Sequence, residues 1–181
     1  MAIAVRHQHI IPVAMDQAWQ VFNTQLVDLS PWLPHVARIS LLKEQPLSER
    51  RMALDYAWHV EEQVIPGVAK PFLRDHLDQL HSATLWHHDQ HLVEFRFYLD
   101  SVTGLLDCEG CFRMTEHSDG TCMDVQGDIQ IHPHKLPGVP ALVGRTIRPT
   151  VERVVDDALR PALSALPGAL HQLIERQRAA S

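Results

Sequence analysis

The stretch LDCEGCFRMTEHSDGTCMDVQGDIQI, Leu106 to Ile131, decides the fold. It alternates apolar and polar residues on both sides of Ser118-Asp119, the pattern of two antiparallel strands joined by a tight turn. Folded about that turn, Met114 meets Met123, Phe112 meets Val125, Gly110 meets Gly127, Cys108 meets Ile129 and Leu106 meets Ile131. Apolar or small residues then share one face, and Arg113, Asp124, Gln126, Asp128 and Gln130 take the other. A slip of one residue would turn the whole apolar set toward water, so the pattern specifies the register.

The same period continues upstream. A hairpin around Asp89-Gln90 brings Trp86 opposite Val93 and Thr84 opposite Phe95, on the face that also carries Phe97 and Leu99. In Arg51 to Glu61, the set Met52, Leu54, Tyr56, Trp58 and Val60 alternates with Arg51, Asp55, His59 and Glu61. From Val36 to His132 the chain therefore reads as antiparallel strands, interrupted at Gln63 to Leu80 by a loop with a short helix around Pro66-Gly67 and Pro71.

At the ends the period changes. Ala4 to Val13 is extended, and Ala14 to Leu26 switches to helical spacing, with Ala18, Trp19, Phe22 and Leu26 on one stripe. Asp16 suits the positive end of that helix, and Ser30-Pro31 and Leu33-Pro34 break the chain soon after, so one or two short helices follow the first strand. Beyond Pro133 and Leu136-Pro-Gly, Pro140 fits a first helical position. An apolar stripe through Val143, Ile147, Val151, Val154, Val155 and Ala158 then predicts a long helix toward Arg178. Pro149, Pro161 and Pro167 are expected to kink or interrupt it, since each removes a backbone donor.

At 181 residues, with 45% hydrophobic and 21% charged residues, the chain reads as one globular domain, 1–181, and not as a disordered or fibrous protein. A formal net charge of -6 is the wrong sign for a protein that neutralises phosphates, so no nucleic-acid partner is expected. No stretch reaches the roughly 18 apolar residues of a membrane span. Arg6, His7, Gln8 and His9 precede any signal-peptide core, and with only 3 Cys the expected location is cytoplasmic.

Cys108-Glu-Gly-Cys111 has redox or zinc spacing, but residues three apart in a strand point to opposite faces, and Cys122 falls opposite Thr115. All three read as structural. The 13 His include loose clusters at His87, His88 and His91 and at His132 and His134, which read as solvated surface rings, with no metal site. His7 and His9 differ: they share parity with Val5 and Ile11, the inward side. Two imidazoles on an apolar wall could hold a ligand's polar head or move a proton; the plainer account has them bonded to the first helix or terminal segment. Tyr56 and Thr84 are the other inward polar tips. No phosphate loop, GxSxG elbow or HExxH pattern occurs, and no cofactor is implied. Arg145, Arg148, Arg153 and Arg160 on the last helix leave room for transient membrane contact, although Glu152, Asp156 and Asp157 intervene.

The order strand, short helices, antiparallel strands and one long C-terminal helix resembles the START-like helix-grip superfamily (SRPBCC), which includes plant pathogenesis-related proteins and bacterial polyketide cyclases. HIIPVAMDQAWQVF (9–22) is similar to that superfamily's first strand and helix. IPGVAKPFLRDHL (65–77) followed by Leu85-Trp86, and LPGVPALVGRTI (136–147), are similar to an uncharacterised bacterial branch of it. The resemblance implies an α+β fold: a curved antiparallel sheet of about seven strands wrapped around the terminal helix, with two short helices after strand one. It also implies a cavity between sheet and helix for a lipid, steroid or polyketide-like molecule. Gly110 facing Gly127 removes two inward side chains at one level, which either makes room for such a guest or serves the sheet's curvature.

These readings lead to a binding or carrier protein for a hydrophobic small molecule. Its expected wall is Tyr56, Trp58, Thr84, Trp86, Phe95, Phe97, Phe112, Met114, Met123 and Val125, with His7 and His9 as polar anchors. The alternatives are a cyclase, dehydratase or hydrolase of polyketide-like substrates, using His7 or His9 for proton transfer and Tyr56 to polarise a carbonyl, and a packed domain that acts through protein partners.

Overall fold

The computed structural model describes residues 2–77 and 79–181. Strand β1 (Ala2–Ile11) leads into helix α1 (Met15–Gln25) and a 3₁₀ segment, Leu26–Trp32. Strands β2 (Val36–Ser48) and β3 (Arg51–Val60) follow, then α2 (Lys70–Leu77). β4 (Gln79–His87), β5 (Leu92–Tyr98), β6 (Leu106–His117) and β7 (Gly120–Ile131) complete the sheet before α3 (Ala141–Ala180). The seven strands are antiparallel and run in the order β1-β7-β6-β5-β4-β3-β2. α3 packs on β1, β7, α1 and the 3₁₀ segment that follows α1.

The β6–β7 ladder has the register that alternation dictates: Met114 pairs with Met123, Phe112 with Val125, Gly110 with Gly127, Cys108 with Ile129 and Leu106 with Ile131. Trp86 likewise pairs with Val93, and Thr84 with Phe95. β2 is less regular. Its pairing with β3 shifts between Val36 and Arg38, between Leu41 and Lys43, and between Pro46 and Ser48. Each shift rotates the following side chains relative to the pleat, which breaks a simple in–out alternation.

The terminal helix departs from expectation in three ways. Pro140 is its N-cap, with φ -59° and ψ 144°, and not its first helical residue. Val143 is exposed, as is Leu142, because the first turn extends past the residues that α3 buries. The helix also runs through Pro149, Pro161 and Pro167 without interruption. Energetics explain the last point. An interior proline costs about 3 kcal/mol, whereas Leu159, Leu163, Leu166, Leu170, Leu173 and Ile174 are all buried along one stripe, at about 1.5–3 kcal/mol each. Ending the helix at Pro161 would remove all of that stripe but Leu159, and ending it at Pro167 would remove Leu170, Leu173 and Ile174.

Candidate ligand-binding site

The inward side chains of β3 to β7 meet one another and α1. Phe22 of α1 stands 4.9 Å from Trp86 and 5.6 Å from Phe112, ring centroid to centroid. Phe112 lies 4.8 Å from Phe95, Phe95 lies 5.6 Å from Phe97, and Phe97 lies 5.2 Å from Trp58. These rings form one continuous aromatic layer, and Met114, Met123 and Val125 are buried beside it.

The room expected at the glycine pair is occupied. Phe95 pairs directly with Gly110 across β5 and β6. Its ring tip lies 2.6 Å from where a Cβ on Gly110 would stand and 3.2 Å from that of Gly127. A Cβ on Gly110 would also fall 2.6 Å from the Gly127 Cα and collide with the Gln126 carbonyl. The glycines therefore admit a close strand approach with an aromatic ring laid over it, the curvature device of the two readings, and not space for a guest.

Between sheet and α3, the void lined by Val60, Val64, Ile65, Leu80, Val154, Val155 and Ala158 measures about 10 Å³. That is at the limit for one water molecule. The cavity expected beneath the terminal helix is thus filled by side chains at this point. Two inward polar tips, Thr84 and Ser82, are satisfied internally. Thr84 Oγ1 donates to the Leu54 carbonyl at 2.6 Å and accepts from Trp86 Nε1 at 2.8 Å. Trp58 Nε1 donates to Ser82 Oγ at 2.8 Å, so Ser82 is an inward polar residue that the alternation contained but the reading overlooked.

His7 is exposed on edge strand β1, and His9 is half-buried. His9 Nε2 and His171 Nδ1 of α3 share a hydrogen bond at 3.0 Å. Burial lowers the His9 pKa, with His171 and then His7 adding to the effect. A neutral ring is what the contact with a second imidazole requires, because two protonated rings would have donors only. The pair ties the sheet edge to the terminal helix.

The histidines at the β4–β5 turn are not simply solvated. Trp19 Nε1 of α1 donates to His88 Nδ1 at 3.2 Å, and the His91 ring stands edge-on to Trp19 at 5.2 Å. Two imidazoles thus clasp the first helix, a long-range contact with no signature in local spacing. Among the cysteines, Cys108 is buried and faces inward, and burial, with Asp107, Asp128 and Glu109 adding, pushes its thiol up to about 12. It stays protonated and behaves as a small hydrophobe.

The inward face is open in another place. Between the end of α1 with its 3₁₀ extension and the β2–β3 pair lies a groove of about 380 Å³. Its apolar lining is Leu26, Val27, Leu41, Met52 and Leu54; its polar lining is Asn23, Thr24, Glu44 and Tyr56. Burial pushes the Tyr56 phenol well above its ordinary range, and nearby Glu44 adds to the shift. At neutral pH Tyr56 is therefore a hydroxyl that can donate, at the floor of a mostly apolar groove of the size that small-molecule sites occupy. Of the ten expected wall residues, Tyr56 lines this groove. Asn23, Thr24, Leu41 and Glu44 were missed, the last two because the β2 register shifts hide which face they take.

This arrangement is the START-like helix-grip fold. The chain is similar over its whole length to a Streptomyces aromatase/cyclase named Zhui, with TM-score 0.65 and 15% identity, covering 100% of this chain and 99% of that one. A Thermus thermophilus protein superposes with TM-score 0.62 at 15% identity, covering 99% of both chains. Norcoclaurine synthase from Thalictrum flavum superposes with TM-score 0.56 at 11% identity, covering 96% of this chain and 87% of that one. At such identities the likeness is one of fold. No protein-family model matches the sequence, and no curated protein matches it. Among the described residues, no helix is long and apolar enough to cross a membrane.

Proposed function

We propose that the protein binds a hydrophobic small molecule carrying one polar group, and that the groove between α1 and β2–β3 receives it. The observation that carries this reading is the Tyr56 hydroxyl, an inward polar tip set in an open apolar groove, whereas Thr84 and Ser82 are spent on internal hydrogen bonds. Leu54, Met52 and Leu26 supply the apolar floor, and Tyr56 donates to an acceptor on the ligand. The aromatic layer of Trp58, Trp86, Phe95, Phe97 and Phe112, with Thr84, Met114, Met123 and Val125, then acts as the rigid backing of the site. A guest would reach that layer only by displacing α1 or α3. In this reading His9, bonded to His171, holds the sheet edge to α3, and His7 stays exposed on β1.

The presence of Glu44 beside Tyr56 favours a second reading, a cyclase-like enzyme for a polyketide-like substrate. There, Tyr56 would polarise a carbonyl while Glu44 accepts a proton from the adjacent carbon. The aromatase/cyclase fold likeness is compatible with it.

Native mass spectrometry of the chain purified from its own host tests the binding reading. The expected result is a co-purifying apolar adduct that is lost in Tyr56→Trp, which fills the groove. A bare chain from the host, or an adduct retained in Tyr56→Trp, contradicts the assignment. Turnover of an aromatic polyketide surrogate that is lost in Glu44→Gln while the adduct persists would favour the enzyme.

A further inference from the structure

The outer face of the sheet carries a larger groove, of about 730 Å³, where the ends of β5 and β6 meet the loop between them and the 3₁₀ turn Pro133–Lys135. Nothing in the concave-face reading uses it. Its apolar lining on this face is Ala83 and the ring of Tyr98, and the inward, buried Leu99 and Leu106 close its end.

The polar lining is rich in donors. Arg96 is already answered twice, by Asp107 at 3.0 Å and by Glu109 at 3.6 Å. Lys135, by contrast, has no carboxylate within 4.0 Å among the described residues, although it lies on the same lining. Beside it stand His132 and His134, whose rings meet edge to face at 5.8 Å. Each imidazole carries at least one N–H in any protonation state. Burial raises the Tyr98 pKa, with Asp55 and Asp100 adding and Arg96 partly opposing, so its hydroxyl also remains a donor. Lys135 cannot accept and has no carboxylate partner, and the imidazoles and the Tyr98 hydroxyl beside it can all donate, so an acceptor-rich anion complements this surface. Asp100, also on the lining, disfavours a doubly charged head.

We propose that this outer groove is a second binding site, for a monoanionic carboxylate with an apolar ring body, its head at Lys135 and the two histidines and its body over Ala83 and the ring of Tyr98. The site is separate from the Tyr56 groove, and each can fail without the other.

The test uses 2-naphthoate as the probe, titrated into isotope-labelled full-length protein and followed by the backbone amides of Thr103, Gly104, Asp107 and Lys135. Saturable shifts are expected at these amides. Lys135→Glu should weaken the Kd read there by about tenfold or more, as expected for loss of a charge-assisted contact and gain of a repulsion. The neutral analogue 2-naphthalenemethanol should bind there about tenfold or more weakly. Lys135 is exposed, so its replacement leaves the fold intact, and the unperturbed amide spectrum of the variant verifies this. Shifts confined to residues around Tyr56, an unchanged Kd in Lys135→Glu, or equal binding of the neutral analogue would overturn the proposal.

Discussion

Over β4 to β6 the concave face of the sheet is closed; over β3 the same face is open beside Tyr56. The difference lies in what covers each region. Phe22, in the middle of α1, reaches Trp86 and Phe112, and Phe95 fills the level that Gly110 and Gly127 leave empty. Toward the end of α1 the covering residues are Asn23 and Thr24, which face the aliphatic Met52 and Leu54. The Thr24 hydroxyl donates to the Gln20 carbonyl at 2.7 Å, but pressing the Asn23 amide onto aliphatic groups would strip its water without replacing its hydrogen bonds, so the cover stands off and a groove remains. Rings seal one half of the face, and polar helix residues hold the other half open.

The comparison can be broken most forcefully at Phe95. Phe95→Ala should destabilise the fold by about 3–5 kcal/mol, read by denaturant titration, and should make the closed half accept a small apolar guest such as benzene. No gain of benzene binding would mean that the ring does not fill the glycine level. Gly110→Ala tests the same level from the backbone side. Its Cβ meets backbone that cannot yield, so a loss of about 3 kcal/mol is expected, measured the same way, and a near-neutral change would show that the strands do not approach so closely.

A smaller effect follows from the pair that joins β1 to α3. The folded-state pKa of His9 lies below the ordinary 6.5, so the unfolded chain binds more protons as pH falls through that value. The stabilisation is fully present above about 6.5 and is lost below it. The groups facing His9 are His7 on its own strand and His171 on α3, with Glu175 at 3.9 Å from His171. The denaturation midpoint should therefore decrease from pH 7 to pH 5, and His171→Gln should flatten that decrease in part, burial of the His9 ring being the larger cause. An equal slope in the variant would remove the pair as its cause. The smallest stability effect is expected for Tyr56→Phe, within about 1 kcal/mol, together with weaker binding of an apolar probe that carries an acceptor. Equal affinity would deny the hydroxyl its role.

Much of this architecture was legible because it rests on local period. The pairs from Leu106–Ile131 to Met114–Met123 could be written down from alternation about one turn. The fate of the glycine pair was not, because it depends on the β5–β6 register, and the loop from Leu99 to Leu105 conceals that Phe95 sits against Gly110. The open groove was hidden for a related reason. Glu44 and Leu41 lie in the strand whose pairing shifts three times along its length, so their faces cannot be assigned by counting in twos. The clasp of His88 and His91 on Trp19 joins distant parts of the chain, Trp19 and His88 being 69 positions apart, and spacing carries no trace of it. Continuity of α3 through its prolines was obscured because the burial that outweighs them is tertiary.

The central claim is that an apolar guest sits against Tyr56 and not within the aromatic layer. Intermolecular NOEs from bound 1-acetylnaphthalene, whose carbonyl can accept from Tyr56, to the methyl-labelled protein decide it directly. The account predicts NOEs to the methyls of Met52, Leu54, Leu26 and Leu41; NOEs to Met114, Met123 and Val125 instead would contradict it.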